Sequence, residues 1–102
     1  MTPEHPPSNT RWAWKRVNTD GTTRNRFRWP VGTGGEVTET GPSNGEPCGP
    51  GLHLAKTWHG ASLGGCLTSS IGLLVSFSPA DVLGEDDHKV RVSRCSVTPG
   101  VL

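Results

Sequence analysis

The chain has 102 residues, of which 31% are hydrophobic, and it contains 14 glycines and 9 prolines. This composition suits one small domain with a modest core and excludes long helices. The net charge is +1, and the longest apolar run, Ile71 to Val75, contains a glycine and is too short to span a bilayer. We therefore expect a small soluble domain with no membrane partner.

The two ends of the sequence differ in composition from the middle. Residues 1–10 carry three prolines and predict an extended arm, residues 11–98 form the domain, and residues 99–102 form a tail. The start, MTPEHPPSN, lacks the basic and apolar regions of a secretory signal. Three cysteines without such a signal indicate free thiols in a reducing compartment. We expect a protein that is not secreted.

The first predicted element is a basic, aromatic hairpin. Residues 11–17 alternate with period two, so Trp12 and Trp14 share one face of a strand. Asp20-Gly21 is a hairpin turn signal, and residues 24–29 alternate again until Pro30 ends the strand. The hairpin predicts a binding surface made of Trp12, Trp14, Lys15, Arg16, Arg24, Arg26, Arg28 and Trp29.

The rest of the chain predicts further short strands and one short helix. Strands are expected at residues 36–39, 52–55, 72–77 and 89–97, with a bulge near Ser93 where the apolar phase changes. A short helix is expected from Thr57 to about Leu63, and Ser78-Pro79 predicts a helical turn to Leu83, followed by an acidic turn. The predicted fold is α+β and mainly β: a small antiparallel sheet of about six short strands with one short helix.

The stretch from Cys48 to Ser62 is the densest in unusual residues. Potential zinc ligands at positions 48, 53, 59 and 66 are separated by four, five and six residues, which fits no standard finger, so we expect no metal and no cofactor. Cys48 as a nucleophile, or the neighbouring glycines as a phosphate cradle, are open alternatives to an ordinary turn. No catalytic residue is assigned. An alternative pocket on this stretch consists of Cys48, Gly51, His53, Trp58, His59 and Ser62.

Several motifs resemble a family of small uncharacterised domains in actinobacterial and phage proteins. They occur in the order WKR, RFRWPVG, CGPGLH, GLLVSFSPADVL and KVRVSRCSV, between residues 12 and 97. The family pairs a Cys-Gly-x-Gly-Leu-His core with a closing basic strand. The resemblance implies a phage-related protein of the host-cell cytoplasm or of a virion, and it carries no established activity.

A second likeness is to the ADP-ribosyltransferase superfamily. Residues 49–55, GPGLHLA, and 60–62, GAS, are similar in outline to the strand and helix start that line the nicotinamide pocket there. The likeness implies that His53 takes the place of a stacking tyrosine. An early histidine motif is not found, and Glu85 is only a distant counterpart of the catalytic glutamate.

These observations favour a binding or accessory protein over an enzyme. Arginines that contact phosphates beside aromatics that stack on bases are typical of proteins that hold single strands. The partner is expected to be nucleic acid or protein, and a virion or assembly component is an alternative role. The competing interpretation of the hairpin is structural: its aromatics form the core and its arginines are the solvated face. The sequence leaves the oligomeric state open.

Overall fold

The computed structural model describes residues 10–23, 27–57 and 70–100, and these residues form one antiparallel sheet of seven strands. A single 3₁₀ turn, Pro79–Asp81, precedes the fifth strand, and Ser78 caps it by accepting a hydrogen bond from the Ala80 N–H. The strands are β1 (Arg11–Asn18), β2 (Gly35–Thr38), β3 (Leu52–Ala55), β4 (Ser70–Phe77), β5 (Val82–Glu85), β6 (Lys89–Val92) and β7 (Arg94–Val97).

The order of the strands requires the sheet to curl. It runs β2-β7-β4-β1-β3-β6-β5, so β6 and β7 are four strand spacings apart, roughly 19 Å across a flat sheet. Ser93 alone separates β6 from β7 along the chain, and two residue steps reach only about 7 Å. The sheet therefore curls until β6 and β7 meet end to end. Ser93 fixes this junction because its N–H donates to Asp81 O and its carbonyl accepts from the Glu39 N–H, both at 2.9 Å.

The core lies on the inner side of this curl. Strand residues alternate between the two sides, and the buried hydrophobic residues of the core cluster come from one side of each strand that contributes to it. Trp29, from the segment between β1 and β2, packs into the same cluster. The strand residues of the cluster are Ala13, Val17, Val37, Leu52, Leu54, Leu73, Val75, Phe77, Val90, Val92, Cys95 and Val97.

Most predicted strands are present with nearly the predicted bounds. The alternation of residues 11–17 and the apolar run of residues 72–77 correspond to β1 and β4, which pair along their whole length from Arg11↔Phe77 to Asn18↔Ser70. The predicted change of phase near Ser93 is also confirmed, since Val90 and Val92 are buried before it and Cys95 and Val97 after it.

The α+β prediction is wrong, because the described residues are almost entirely antiparallel sheet. The signal at Ser78-Pro79 gives only a 3₁₀ turn, after which Val82 and Leu83 continue as β5 along β6. The sequence predicts a helical turn that ends at Leu83 and an acidic turn after it. Residues 82–85 instead form β5, in which backbone groups are satisfied by pairing with β6. The helix predicted from Thr57 falls on residues 58–63, which lie outside the described residues.

The hairpin prediction is wrong about the neighbours of β1. The turn itself forms, with the Gly21 N–H donating to Asn18 O and the Thr22 N–H to Asp20 Oδ1. However, β1 is flanked by β3 and β4, so no position beside it remains for residues 27–29. That segment instead crosses the inner side of the sheet, where burial of Trp29 outweighs the local turn signal.

Candidate functional site

The outer face of the sheet, opposite the core, has two halves with different surroundings. The half on β3 and β6 is covered by residues 44–50, which we call the covering loop. The half on β1, β4 and β7 carries Trp12 and Trp14, and we call it the open half.

Arg91 anchors the covering loop. It lies on β6 with 0% of its surface exposed. Its Nε–H donates to Glu46 O at 3.1 Å, its Nη1 to Pro50 O at 2.6 Å and its Nη2 to Asn44 Oδ1 at 2.7 Å. Two backbone carbonyls and one amide oxygen thus solvate a buried guanidinium. A charge taken out of water is tolerated only with such partners, so loop and arginine hold each other in place.

Two further side chains of the covered half bind the same loop. His53 lies opposite Arg91 in the β3–β6 register, and its Nε2 is 2.6 Å from Gly49 O. Lys89 lies opposite Ala55, and its Nζ is 2.9 Å from the Cys48 sulfur. Three neighbouring outer-face residues therefore use their polar groups on the covering loop.

Gly84 allows the covering loop to pack closely against β5. Gly84 is buried and bridges Gly45, whose N–H donates to Leu83 O at 2.9 Å. A Cβ atom at this position would overlap the backbone carbonyl group of Glu46. The loop and β5 can approach this closely only because Gly84 has no side chain.

The open half presents tryptophan among smaller neighbours. Trp12 lies opposite Ser76, and Trp14 lies between Leu74 and Ala55. Trp12 keeps 49% of its surface exposed and is the large hydrophobic residue classed as exposed in the described part of the chain. Ser76 is a short neighbour, and about half of the Trp12 surface stays exposed beside it.

Cations share this face with the tryptophans. Arg16 follows Trp14 on the same side of β1, opposite Gly72. Arg94 on β7 has a side chain 56% exposed and forms only a loose ion pair with Asp81, at 3.6 Å. Glu36 is an acid of this face, at the β2 edge beyond Ser96. The open half thus combines exposed aromatic surface with two arginines.

One ion-pair cluster links the ends of three strands. Glu85 accepts from Arg11 at 3.1 Å and pairs with Lys56 at 2.6 Å. The hydrogen bonds from the Arg11 guanidinium and then from the Lys56 ammonium lower the pKa of Glu85 to about 2. Arg11 from the basic N-terminal region and Glu85 from the acidic segment late in the chain therefore meet here.

The inner side contains a cavity of about 330 Å³ with Lys15 in its wall. Lys15 Nζ donates to His53 O at 2.9 Å and lies 5.4 Å from the centre of the Trp29 ring. Phe27 packs edge-on against Trp29, with ring centres 5.6 Å apart. Burial lowers the pKa of Lys15 from 10.5 to about 8, against an opposing influence of the Cys95 thiol.

The predicted basic, aromatic surface is divided by the fold. Trp12, Trp14 and Arg16 lie together on the outer face, whereas Lys15 and Trp29 meet on the inner side. Arg28 is exposed on the segment that crosses the inner side. Arg24 and Arg26 fall outside the described residues.

The alternative pocket is described only in part. Cys48 is exposed, and His53 directs its ring to the covering loop. Gly51 has φ +128° and packs so closely on Leu83 and Arg91 that a side chain there would collide. Trp58, His59 and Ser62 lie outside the described residues, so the nucleotide pocket stays a prediction.

The described residues contain neither a candidate metal site nor a candidate membrane-spanning helix. In residues 10–23, 27–57 and 70–100, no group of three or more His, Cys, Asp or Glu side chains is arranged to hold a metal ion. No helix in the same ranges has the length and apolar character needed to cross a membrane.

The sequence interpretation missed the roles of Arg91 and Lys15. Arg91 stands directly between the buried Val90 and Val92, which is a signal for an arginine that needs internal acceptors. Lys15 lies on the same side of β1 as the buried Ala13 and Val17, two positions from each. In both cases the signal is a cation flanked by core residues.

Comparison with known proteins places this chain beside no other. No protein-family model matches it, and no curated protein or solved structure matches it either.

Proposed function

We propose that this protein is a non-enzymatic binding domain that holds single-stranded nucleic acid on the open half of its outer face. The observation that carries the proposal is the exposed indole of Trp12, with 49% of its surface accessible on a sheet face. The flat ring of an exposed tryptophan is a surface on which a base can stack.

The neighbours of Trp12 support a ligand that lies along the sheet. Trp14 is two residues away on the same side of the strand, about 7 Å along it, so the two indoles could contact successive bases. Arg16 and Arg94 flank them on the same face. Aromatic stacking beside cations is how sequence-tolerant single-strand binding is achieved.

The covered half supports the same proposal by contrast. Where this face carries Arg91, His53 and Lys89, the chain supplies a loop that uses their polar groups. Trp12 is not enclosed in this way. An accessory or assembly role in a phage particle stays a prediction from the resemblance, and it is compatible with this activity.

Fluorescence anisotropy with a labelled oligothymidylate tests the proposal. We expect binding that weakens as salt increases, because displaced counterions contribute to affinity. Trp12→Ala should weaken binding at least about fivefold, since stacking on one base contributes roughly 1–3 kcal/mol. Trp12→Phe should keep most of the affinity because the phenyl ring still stacks.

Arg28→Ala is the matched control, because Arg28 is exposed but lies away from the outer face. It should weaken binding less than Trp12→Ala does. Equal affinity of Trp12→Ala and the unmodified protein would contradict the proposal, and so would the absence of any oligonucleotide binding at low salt. The latter result would favour a protein partner for this face.

A further inference from the structure

Lys15 has fewer polar partners among the described residues than Arg91, the buried cation of β6. It lies on the inner face of β1 between the buried Ala13 and Val17. Its ammonium has three N–H groups but donates one hydrogen bond, to His53 O. Arg91, by comparison, makes three. No ion pair of Lys15 occurs within residues 10–23, 27–57 and 70–100.

The space beside this amine has the character of a small-ligand site. Its volume, about 330 Å³, lies within the range of ligand pockets. The rings of Phe27 and Trp29 provide flat apolar walls, and Glu39 provides an acid–base group. Such a combination of aromatic walls with a few polar groups is typical of sites for small organic molecules.

We propose that this cavity binds a small aldehyde with a flat apolar body and that the Lys15 amine joins it reversibly as an imine. The neutral amine attacks the carbonyl carbon and a C–N bond forms. The nitrogen gives up its two hydrogens, the carbonyl oxygen leaves as water, and a C=N bond remains, so no oxidant or reductant is needed. Glu39 is the cavity group that can carry protons between nitrogen and oxygen.

The electrostatics around Lys15 make the reactive form available. Burial lowers the pKa of this amine to about 8, which raises its neutral fraction at neutral pH roughly 300-fold above that of an ordinary lysine. The Cys95 thiol does not reverse this effect, because burial raises the pKa of Cys95 to about 12 and keeps it uncharged.

The chain contains three lysines, at positions 15, 56 and 89, and this provides an internal comparison. Lys56 pairs with Glu85 at 2.6 Å, and Lys89 contacts Cys48 at 2.9 Å, so neither has the environment of Lys15. The experiment is incubation of the full chain with benzaldehyde and sodium cyanoborohydride at neutral pH. Peptide mass spectrometry then gives the rate of benzylation at each lysine separately from the terminal amine.

We expect Lys15 to be modified at least about tenfold faster than Lys56 or Lys89. Lys15→Arg should remove this fast phase and leave the slow modification of the other two lysines unchanged. Comparable rates at all three lysines, or a slower rate at Lys15, would overturn the proposal. Because the comparison is made within the unmodified protein, the result does not depend on whether Lys15→Arg folds. It also does not depend on oligonucleotide binding at the opposite face.

Discussion

The covered and open halves of the outer face show two ways in which one sheet surface is completed. On β3 and β6, three polar side chains hold a loop of the same chain, and Arg91 becomes fully buried. On β1 and β4, tryptophans lie among shorter side chains, and Trp12 stays exposed. The difference indicates that exposure on this fold follows from which half receives the loop, since both halves belong to one hydrogen-bonded sheet.

We expect the largest effect from Arg91→Leu, which removes the side chain that anchors the covering loop. The substitution leaves Glu46 O, Pro50 O and Asn44 Oδ1 without their buried donor. These hydrogen bonds are partly buried, and a hydrogen bond to a charged group contributes about 1.5–3 kcal/mol, so we expect a loss of about 3 kcal/mol in the free energy of unfolding. Urea denaturation measures it. Retention of stability within about 1 kcal/mol would mean that the loop does not depend on the arginine.

A smaller effect of the same kind is expected from Gly84→Ala. The added methyl group overlaps the Glu46 carbonyl, so the covering loop must move away from β5. Forcing extra atoms into a packed site costs about 1–3 kcal/mol. Hydrogen exchange should show faster exchange at the Gly45 N–H, which bonds Leu83 O. Gly32→Ala is the matched control for an added methyl group, since a Cβ there meets no atom within 4 Å, although its φ of +81° adds backbone strain. If Gly84→Ala changed neither the stability nor the exchange rate, the close approach of the covering loop to Gly84 would not be what holds the loop in place.

The smallest effect is expected from Glu85→Gln, which tests the cluster at the strand ends. The folded-state pKa of Glu85, about 2, is below its ordinary value of 4.5, so its charged form stabilises the fold above pH 4.5. That contribution is lost as the pH falls from 4.5 towards 2. The pair is partly exposed, so we expect it to contribute no more than about 1 kcal/mol. Thermal melts should therefore show the variant less stable than the unmodified protein at pH 6 and nearly equal at pH 2. If the stability difference between the two proteins stays constant over this range, the ion pairs of Glu85 are not its cause.

The sequence predicted the individual strands better than their arrangement. Period-two alternation located β1, and the apolar run located β4, because both signals are local. The partners of β1 come from residues 52–55 and 70–77, and no local pattern names them. The Asp20-Gly21 turn predicted a hairpin, but burial of Trp29 on the inner side decided the path of the chain.

The sequence predicted which residues of β1 share a side of the strand, but not which side faces the core. Alternation placed Trp12 and Trp14 on one side of β1 and Lys15 on the other, as the structure has them. Which side faces the core depended on the curl of the sheet, and that follows from the junction at Ser93. The acceptors of Arg91 come from a loop more than 40 residues away, a distance over which single-residue patterns carry no signal.

The most direct test of the open half is the NMR spectrum of the four tryptophan indole N–H groups during titration with an oligothymidylate. Trp12→Phe and Trp14→Phe assign the two outer signals, and Trp29 provides an inner reference with 3% of its surface exposed. The account predicts that the Trp12 and Trp14 signals shift progressively with oligonucleotide while the Trp29 signal stays in place. Unchanged Trp12 and Trp14 signals at saturation, or a shift confined to Trp29, would contradict it.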